Sequence, residues 1–240
     1  MNGNMLIAHG GGPTPVINSS LYGALKEARQ HPQQIKKVFA ARFGAEGILA
    51  NDLIDLTEVA EDKLNNLVYT PASAIGSCRR KLTEPDYPLV LENLRRNNIR
   101  YFFYNGGNDS MDTCHKIHQL AENEGYDLKV IGIPKTIDND LVDTDNCPGF
   151  GSAARYAAIS ALELSADASA LPIHVVILEV MGRNAGWLTA ASALYKDEMH
   201  SNLLTYLPEL PIEKKTFLND VKSAMAQGRG LLVTVSEGLK

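Results

Sequence analysis

The sequence predicts an α/β fold built on a doubly wound, mostly parallel sheet, and three observations carry that expectation. Short apolar runs of the kind buried on both faces alternate with helix-length stretches. Glycine-rich turns join the ends of several runs to the next helix, at residues 10–13, 106–107 and 182–186. Every cluster of polar, chemistry-bearing residues follows a strand, the place where open α/β sheets bind ligands. A length of 240 residues allows one large domain or two small ones. With 45% hydrophobic and 21% charged residues the chain can bury a substantial core, which excludes a disordered polypeptide. The net charge is -5 and Lys and Arg are scattered, so no nucleic-acid footprint is visible and any anionic ligand must be held locally.

The elements follow in order. Residues 5–9 (Met-Leu-Ile-Ala-His) form the first strand, which breaks at Gly10-Gly11-Gly12-Pro13 before a helix over 16–30. Strand, glycine turn and helix are the arrangement in which backbone N–H groups cradle a phosphate, although a tight turn would use the same glycines. The Lys-Ser/Thr pair of a Walker A loop is absent. A second strand is expected at 38–43, followed by an acidic, loop-rich stretch over 46–66. In Gly76-Ser77-Cys78-Arg79-Arg80-Lys81 three consecutive cations are either a solvated face or the densest positive spot for a phosphate. A helix over 88–97 leads to the aromatic strand 101–104, which ends in Asn105-Gly106-Gly107-Asn108-Asp109-Ser110 before a helix from 110 to about 124. The next strand, 129–133, delivers Pro134-Lys135-Thr136-Ile137-Asp138-Asn139-Asp140. An alanine-rich helix follows 145–152; its Gly149-x-Gly151-x-x-Ala154 spacing imitates a dinucleotide fingerprint but lacks the preceding strand. Strand 174–180 runs into Met181-Gly182-Arg183-Asn184-Ala185-Gly186-Trp187, and a helix over 212–227 and strand 231–236, ending at Glu237-Gly238, close the pattern.

Residues 134–140 are where the chemistry is densest. A strand that ends in a cation, a hydroxyl and two carboxylates gathers them at one sheet edge. Asp138 and Asp140 are two apart, so an extended chain would send both side chains off the same face, close enough to share a magnesium ion or to hold different pKa values. Elsewhere, Cys78, Cys114 and Cys147 lack Cys-x-x-Cys spacing and read as reduced thiols of a cytosolic protein. Cys114, His115 and His118 fall within one helical turn, yet no further ligand joins them to complete a structural zinc site. No run reaches membrane-spanning length and residues 1–4 lack the features of a signal peptide, so no membrane association is expected.

Taken together, Gly11-Gly12-x-x-Pro15-x-x-Asn18, Gly106-Gly107-Asn108-Asp109-Ser110, residues 134–140 and residues 181–187 resemble the phosphofructokinase family in order and spacing. The resemblance implies a Rossmann-like, two-domain kinase fold that lacks its C-terminal part here. Residues 1–145 would form the phosphoryl-donor and magnesium domain and residues 146–240 the sugar-phosphate domain, both incomplete. It implies transfer of a phosphoryl group to the 1-hydroxyl of fructose 6-phosphate in glycolysis, with Mg2+ as cofactor and a homo-oligomer as the full-length state. Asp138 would be the general base, supported by Asp140, with Lys135 and Arg183 also catalytic. Thr136, Ile137, Asp138, Met181, Gly182, Arg183 and Glu237 would bind the sugar phosphate. Gly11, Arg79, Gly107, Asp109 and Ser110 would bind the donor, and Asn108 with Asp109 the metal. The pair Asp109 and Lys135 resembles the pyrophosphate-dependent branch, whereas ATP-dependent members carry glycine at both positions. A carboxylate at Asp109 would repel an α-phosphate by on the order of 4 kcal/mol at 4 Å and an effective dielectric of 20.

Overall fold

The structure, a computed structural model, describes residues 2–171 and 175–239. The chain divides into two compact units, Met1–Lys135 and Thr136–Lys240. The sequence reading set its boundary at 145/146 instead, which leaves residues 136–145 with the first half.

The first unit runs β1 (Gly3–His9), α1 (Ile17–Ala28), β2 (Ile35–Ala41), α2 (Ala45–Ala50), β3 (Leu53–Asp55), α3 (Glu61–Asn66), α4 (Asp86–Arg96), β4 (Ile99–Gly106), α5 (Asn108–Asn123) and β5 (Lys129–Pro134). Its five strands lie in the order β3-β2-β1-β4-β5. All neighbours are parallel except β3, which pairs antiparallel with β2. Alternate residues of the central strands feed two cores. Met5 and Ile7 face Leu21 and Leu25 of α1, while Leu6, Ala8, Phe102 and Tyr104 face Val90 and Leu94 of α4 and Ile117 of α5. Burial of both faces is what makes the strand sequences read as continuous apolar runs rather than alternating ones.

Two expectations are corrected here. The stretch 46–66 holds two short helices and the edge strand β3 rather than a loop; a three-residue strand leaves too little periodicity to read. The strand expected at 38–43 instead spans Ile35–Ala41 and stops before Phe43, whose φ of 55° lies in the left-handed region. Lys36 and Lys37 masked its start, because they project from the strand's exposed beginning.

The second unit contains α6 (Phe150–Ala170), β6 (Val175–Val180), α7 (Trp187–Ala191), β7 (Asn202–Tyr206), α8 (Lys214–Met225) and β8 (Leu231–Ser236). Its three strands form a separate parallel sheet in the order β6-β8-β7. Leu232 packs against Ala161 of α6 on one face, and Leu231 and Val233 pack against Phe217 and Ala224 of α8 on the other. The sequence reading missed β7 because its residues are only half-buried and show no alternation. His174, expected as the first residue of β6, lies outside the described residues.

Candidate active site

In the first sheet β2 leaves β1 on one side and β4 lies on the other, so the carboxyl ends of β1 and β4 mark the topological switch point. His9 pairs in register with Asn105, and the Gly10 N–H donates to the Asn105 carbonyl at 2.8 Å. The two glycine turns therefore emerge side by side. Their closeness needs glycine: a Cβ at Gly10 or at Gly106 would overlap the Ser110 hydroxyl, which sits between them. Ser110 is itself buried and lies in the first turn of α5, whose N-terminus presents a positive dipole end to an anion.

The loop at 76–79 closes over the same point. The Gly11 N–H donates to the Cys78 carbonyl at 2.9 Å and the Ser77 hydroxyl donates to the Gly11 carbonyl at 2.6 Å. A cleft of about 360 Å³ results, lined by Gly11, Gly12, Ser73, Ser77 and Arg79 among others. The structure sorts the three cations of this loop. Arg79 reaches Gly12, with a guanidinium nitrogen 3.5 Å from where a Cβ would stand. Arg80 is instead bound to Glu46 at 3.0 Å and Asp86 at 3.1 Å, which makes it structural. Lys81 pairs with Asp109 at 3.0 Å, and both side chains are 74% exposed.

Lys135 comes to this place from β5. Its N–H donates to the Gly106 carbonyl at 3.0 Å, and its ammonium lies 3.5 Å from the position a Cβ would take at Gly11. The residue is only 5% exposed. Among the described residues no carboxylate pairs with it. Burial, and then the Arg79 charge, hold its pKa below the ordinary lysine value. Two cations that disfavour one another, one of them buried, beside a glycine turn and a helix N-terminus, are groups suited to a dense anion.

In the second unit β6 and β8 are register neighbours through Val180 and Ser236, and the Glu237 N–H donates to the Val180 carbonyl at 2.9 Å. This places Met181, Gly182 and Arg183 beside Glu237. The turn is held tightly, since the Ser236 hydroxyl donates to the Gly182 carbonyl and a Cβ at Gly238 would overlap the Arg183 carbonyl. Glu209, which sequence reasoning missed, accepts the Gly186 N–H at 2.7 Å and fixes the far end of the same turn. A glutamate so far along the chain carries no local signal of that contact.

Residues 136–140 are not extended. Asn139 adopts a left-handed φ of 57°, and its side chain donates to the Asp145 carbonyl at 3.2 Å and accepts the Cys147 N–H at 2.7 Å. The same-face argument from an extended chain is therefore corrected; a turn locked by Asn139 is what sets the two carboxylates. The Thr136 hydroxyl accepts the Asp138 N–H at 3.1 Å, leaving its own proton free to donate. Ile137 is half-buried, with its side chain packed against the cluster of Ala154, Leu188 and Ala191. The Asp138 carboxyl is pushed above the usual carboxylate range, first by burial and then by the charges of Asp140 and Glu237, against the opposing pull of Arg183.

Among the described residues no group of three or more His, Cys, Asp and Glu side chains is gathered to hold a metal. Cys114 lies in the core, its thiol pushed up to about 12 by burial. Asn108 and Asp109 offer one amide and one carboxylate at a helix N-terminus. That set suits a magnesium ion that keeps phosphate and water oxygens as its other ligands. No helix among the described residues is long and apolar enough to cross a membrane.

The first sheet is an open α/β sheet with a glycine turn, two cations and a helix N-terminus at its switch point, groups suited to a phosphate, and the carboxylates and arginine of the second unit are groups suited to a sugar phosphate. The chain belongs to the phosphofructokinase family, whose model matches residues 4–240. It is 45% identical over 246 residues to a pyrophosphate–fructose 6-phosphate 1-phosphotransferase of Methylococcus capsulatus, covering 99% of this chain and 59% of the relative. A protein of the same description from Halomonas elongata is 43% identical, with 99% and 59% covered. The crystal structure of a pyrophosphate-dependent phosphofructokinase from Nitrosospira multiformis superposes with a TM-score of 0.90 at 42% identity, covering 100% of this chain and 62% of that one. The chain thus spans about three fifths of the length of the relatives it matches.

Proposed function

We propose that this chain carries the donor site and much of the sugar-phosphate site of a pyrophosphate-dependent phosphofructokinase. The observation that carries the reading is Lys135: a lysine buried as a residue, with no carboxylate partner among the described residues and pressed by the Arg79 charge, favours an arriving anion. A free diphosphate supplies more charge at that point than the middle of a nucleotide chain. Gly11, Arg79, Gly107 and Ser110 bind its oxygens with Lys135. Mg2+ would be held by Asn108 and Asp109 and would neutralise phosphate charge.

In the second unit Arg183, with Met181, Gly182 and Glu237, holds the phosphate and hydroxyls of fructose 6-phosphate, and Thr136 donates its hydroxyl proton to the substrates. Asp138 takes the proton from the sugar 1-hydroxyl, whose oxygen forms the new bond to phosphorus as the bridging P–O bond of pyrophosphate breaks and orthophosphate leaves. Its raised pKa makes it a better proton acceptor, and Asp140 sustains that shift. Phosphoryl transfer asks mainly for such positioning and charge neutralisation. The same reading implies a glycolytic role in the cytoplasm, where the three free cysteines stay reduced, and homo-oligomeric assembly of the longer protein.

The exposure of Asp109 alters the argument on donor choice. Screened by water and paired with Lys81, it repels an α-phosphate by about 1 kcal/mol rather than 4. Exclusion of ATP then rests more on Lys135 than on Asp109. The test is phosphorylation of fructose 6-phosphate by the chain with magnesium and either pyrophosphate or ATP, alongside direct binding of each donor. Turnover or binding with pyrophosphate alone supports the proposal. Preference for ATP refutes the donor assignment, and a folded chain that binds neither marks a family member without this activity.

A further inference from the structure

The loop Thr70–Gly76 forms one wall of the donor cleft, and three of the hydrogen bonds that fasten it come from one side chain, that of Asn18. Asn18, fully buried in α1, donates to the Thr70 carbonyl at 2.7 Å and the Ala72 carbonyl at 3.0 Å, and accepts the Ala74 N–H at 2.8 Å. Those bonds bracket Ser73. Ala72, immediately before it, is held at a φ of 59°, a left-handed conformation that a residue with a side chain resists and that clusters at functional sites. Ser73 lines the cleft, and its hydroxyl lies 2.8 Å from Nδ1 of His9, a histidine with no exposed surface.

The ring of His9 decides what the hydroxyl can do. Burial, then the Lys135 charge, lower its pKa to about 4, so it is neutral and carries one proton. Its Nε2 is buried and has no hydrogen-bond partner among the described residues. A proton on Nε2 would orphan a buried N–H, the rarer and less tolerated defect, and would oblige Nδ1 to consume the Ser73 proton. A proton on Nδ1 leaves only a lone pair unmet at Nε2 and donates to Ser73 Oγ. The serine proton is then directed away from the histidine. Ser77, by contrast, has already committed its proton to the Gly11 carbonyl.

We infer that Ser73 is a further donor-binding residue, its hydroxyl aimed by His9 and Asn18 to donate to a phosphate oxygen in the cleft of Gly11 and Arg79. This deepens the proposed function and rests on its donor assignment. The experiment is calorimetric titration of the full 240-residue chain with inorganic pyrophosphate, with and without magnesium, for the unaltered protein and for Ser73→Ala, Ser73→Thr and His9→Asn. Ser73→Ala is expected to weaken pyrophosphate binding roughly tenfold or more, as loss of one hydrogen bond to a charged group does, while fructose 6-phosphate binding is unchanged. Ser73→Thr, which keeps the hydroxyl, restores affinity. His9→Asn, which places an amide N–H where Nδ1–H stands, keeps it within about threefold. Pyrophosphate affinity unaltered in Ser73→Ala overturns the inference alone, whereas an unaltered chain that binds no pyrophosphate overturns the donor assignment and the inference together.

Discussion

Replacing Lys135 by methionine removes a charge and keeps the length and apolar character of the stem. In the ligand-free protein Lys135 is 5% exposed as a residue, lacks a carboxylate partner among the described residues and is disfavoured by burial and by Arg79, so the substitution should stabilise the first unit. About 1 kcal/mol is a conservative gain for relieving an unpaired buried charge, which at this chain length raises the melting midpoint by roughly 2–4 °C. The pH dependence has a definite sign. Because the folded-state pKa lies below 10.5, the native protein sheds this proton first, so the parent gains stability as pH rises through that interval and its deficit against Lys135→Met narrows. Pyrophosphate reverses the order of the two proteins. A buried ammonium against phosphate is worth about 3 kcal/mol, on the order of a hundredfold in Kd, and ligand stabilisation follows the logarithm of ligand concentration over Kd. Thermal melts across a pyrophosphate titration read both effects in one experiment. A Lys135→Met protein that melts at or below the parent without ligand, and still gains the same stabilisation from pyrophosphate, refutes the reasoning.

Three further outcomes are expected. Asp138→Asn should lower phosphoryl transfer by 10²–10⁴-fold, as loss of a positioned base does, and yet melt higher than the parent at neutral pH. The raised carboxyl pKa means that the parent loses stability as pH climbs from the ordinary value of 3.8 through the shifted one, whereas its activity falls on acidification through that same shifted pKa; rate and melting profiles test the two signs. Asp109→Gly should improve ATP binding by only about fivefold, since an exposed carboxylate paired with Lys81 repels by about 1 kcal/mol; a thousandfold gain in direct titration would contradict the screening argument. Gly238→Ala forces a methyl group into the Arg183 carbonyl, so it should cost about 1–3 kcal/mol of stability in the second unit and weaken fructose 6-phosphate binding while leaving pyrophosphate binding intact.

The strands buried on both faces were legible in the sequence because such burial leaves no polar position: Met5 to Ala8 and Leu231 to Val233 are apolar whichever way they point. So were the turns at Gly10, Gly106 and Gly182, where polar groups follow directly on a strand. These features are local, and composition over a few residues determines them. Three other things were settled only by the tertiary structure. The strands separate into two sheets because β6, β7 and β8 pair with one another, and pairing is a choice among distant partners. The cation run at 79–81 divides into an arginine beside the Gly12 turn, a structural arginine and a lysine that holds Asp109, because Glu46, Asp86 and Asp109 come from three different elements. Lys135 turns from an ordinary strand-end lysine into a buried cation only when Gly11, Gly106 and Arg79 assemble around it. The sequence by itself determines which groups are present at the strand ends; their burial and pairing, and hence their charge states and hydrogen-bond directions, depend on desolvation by residues far away in the chain.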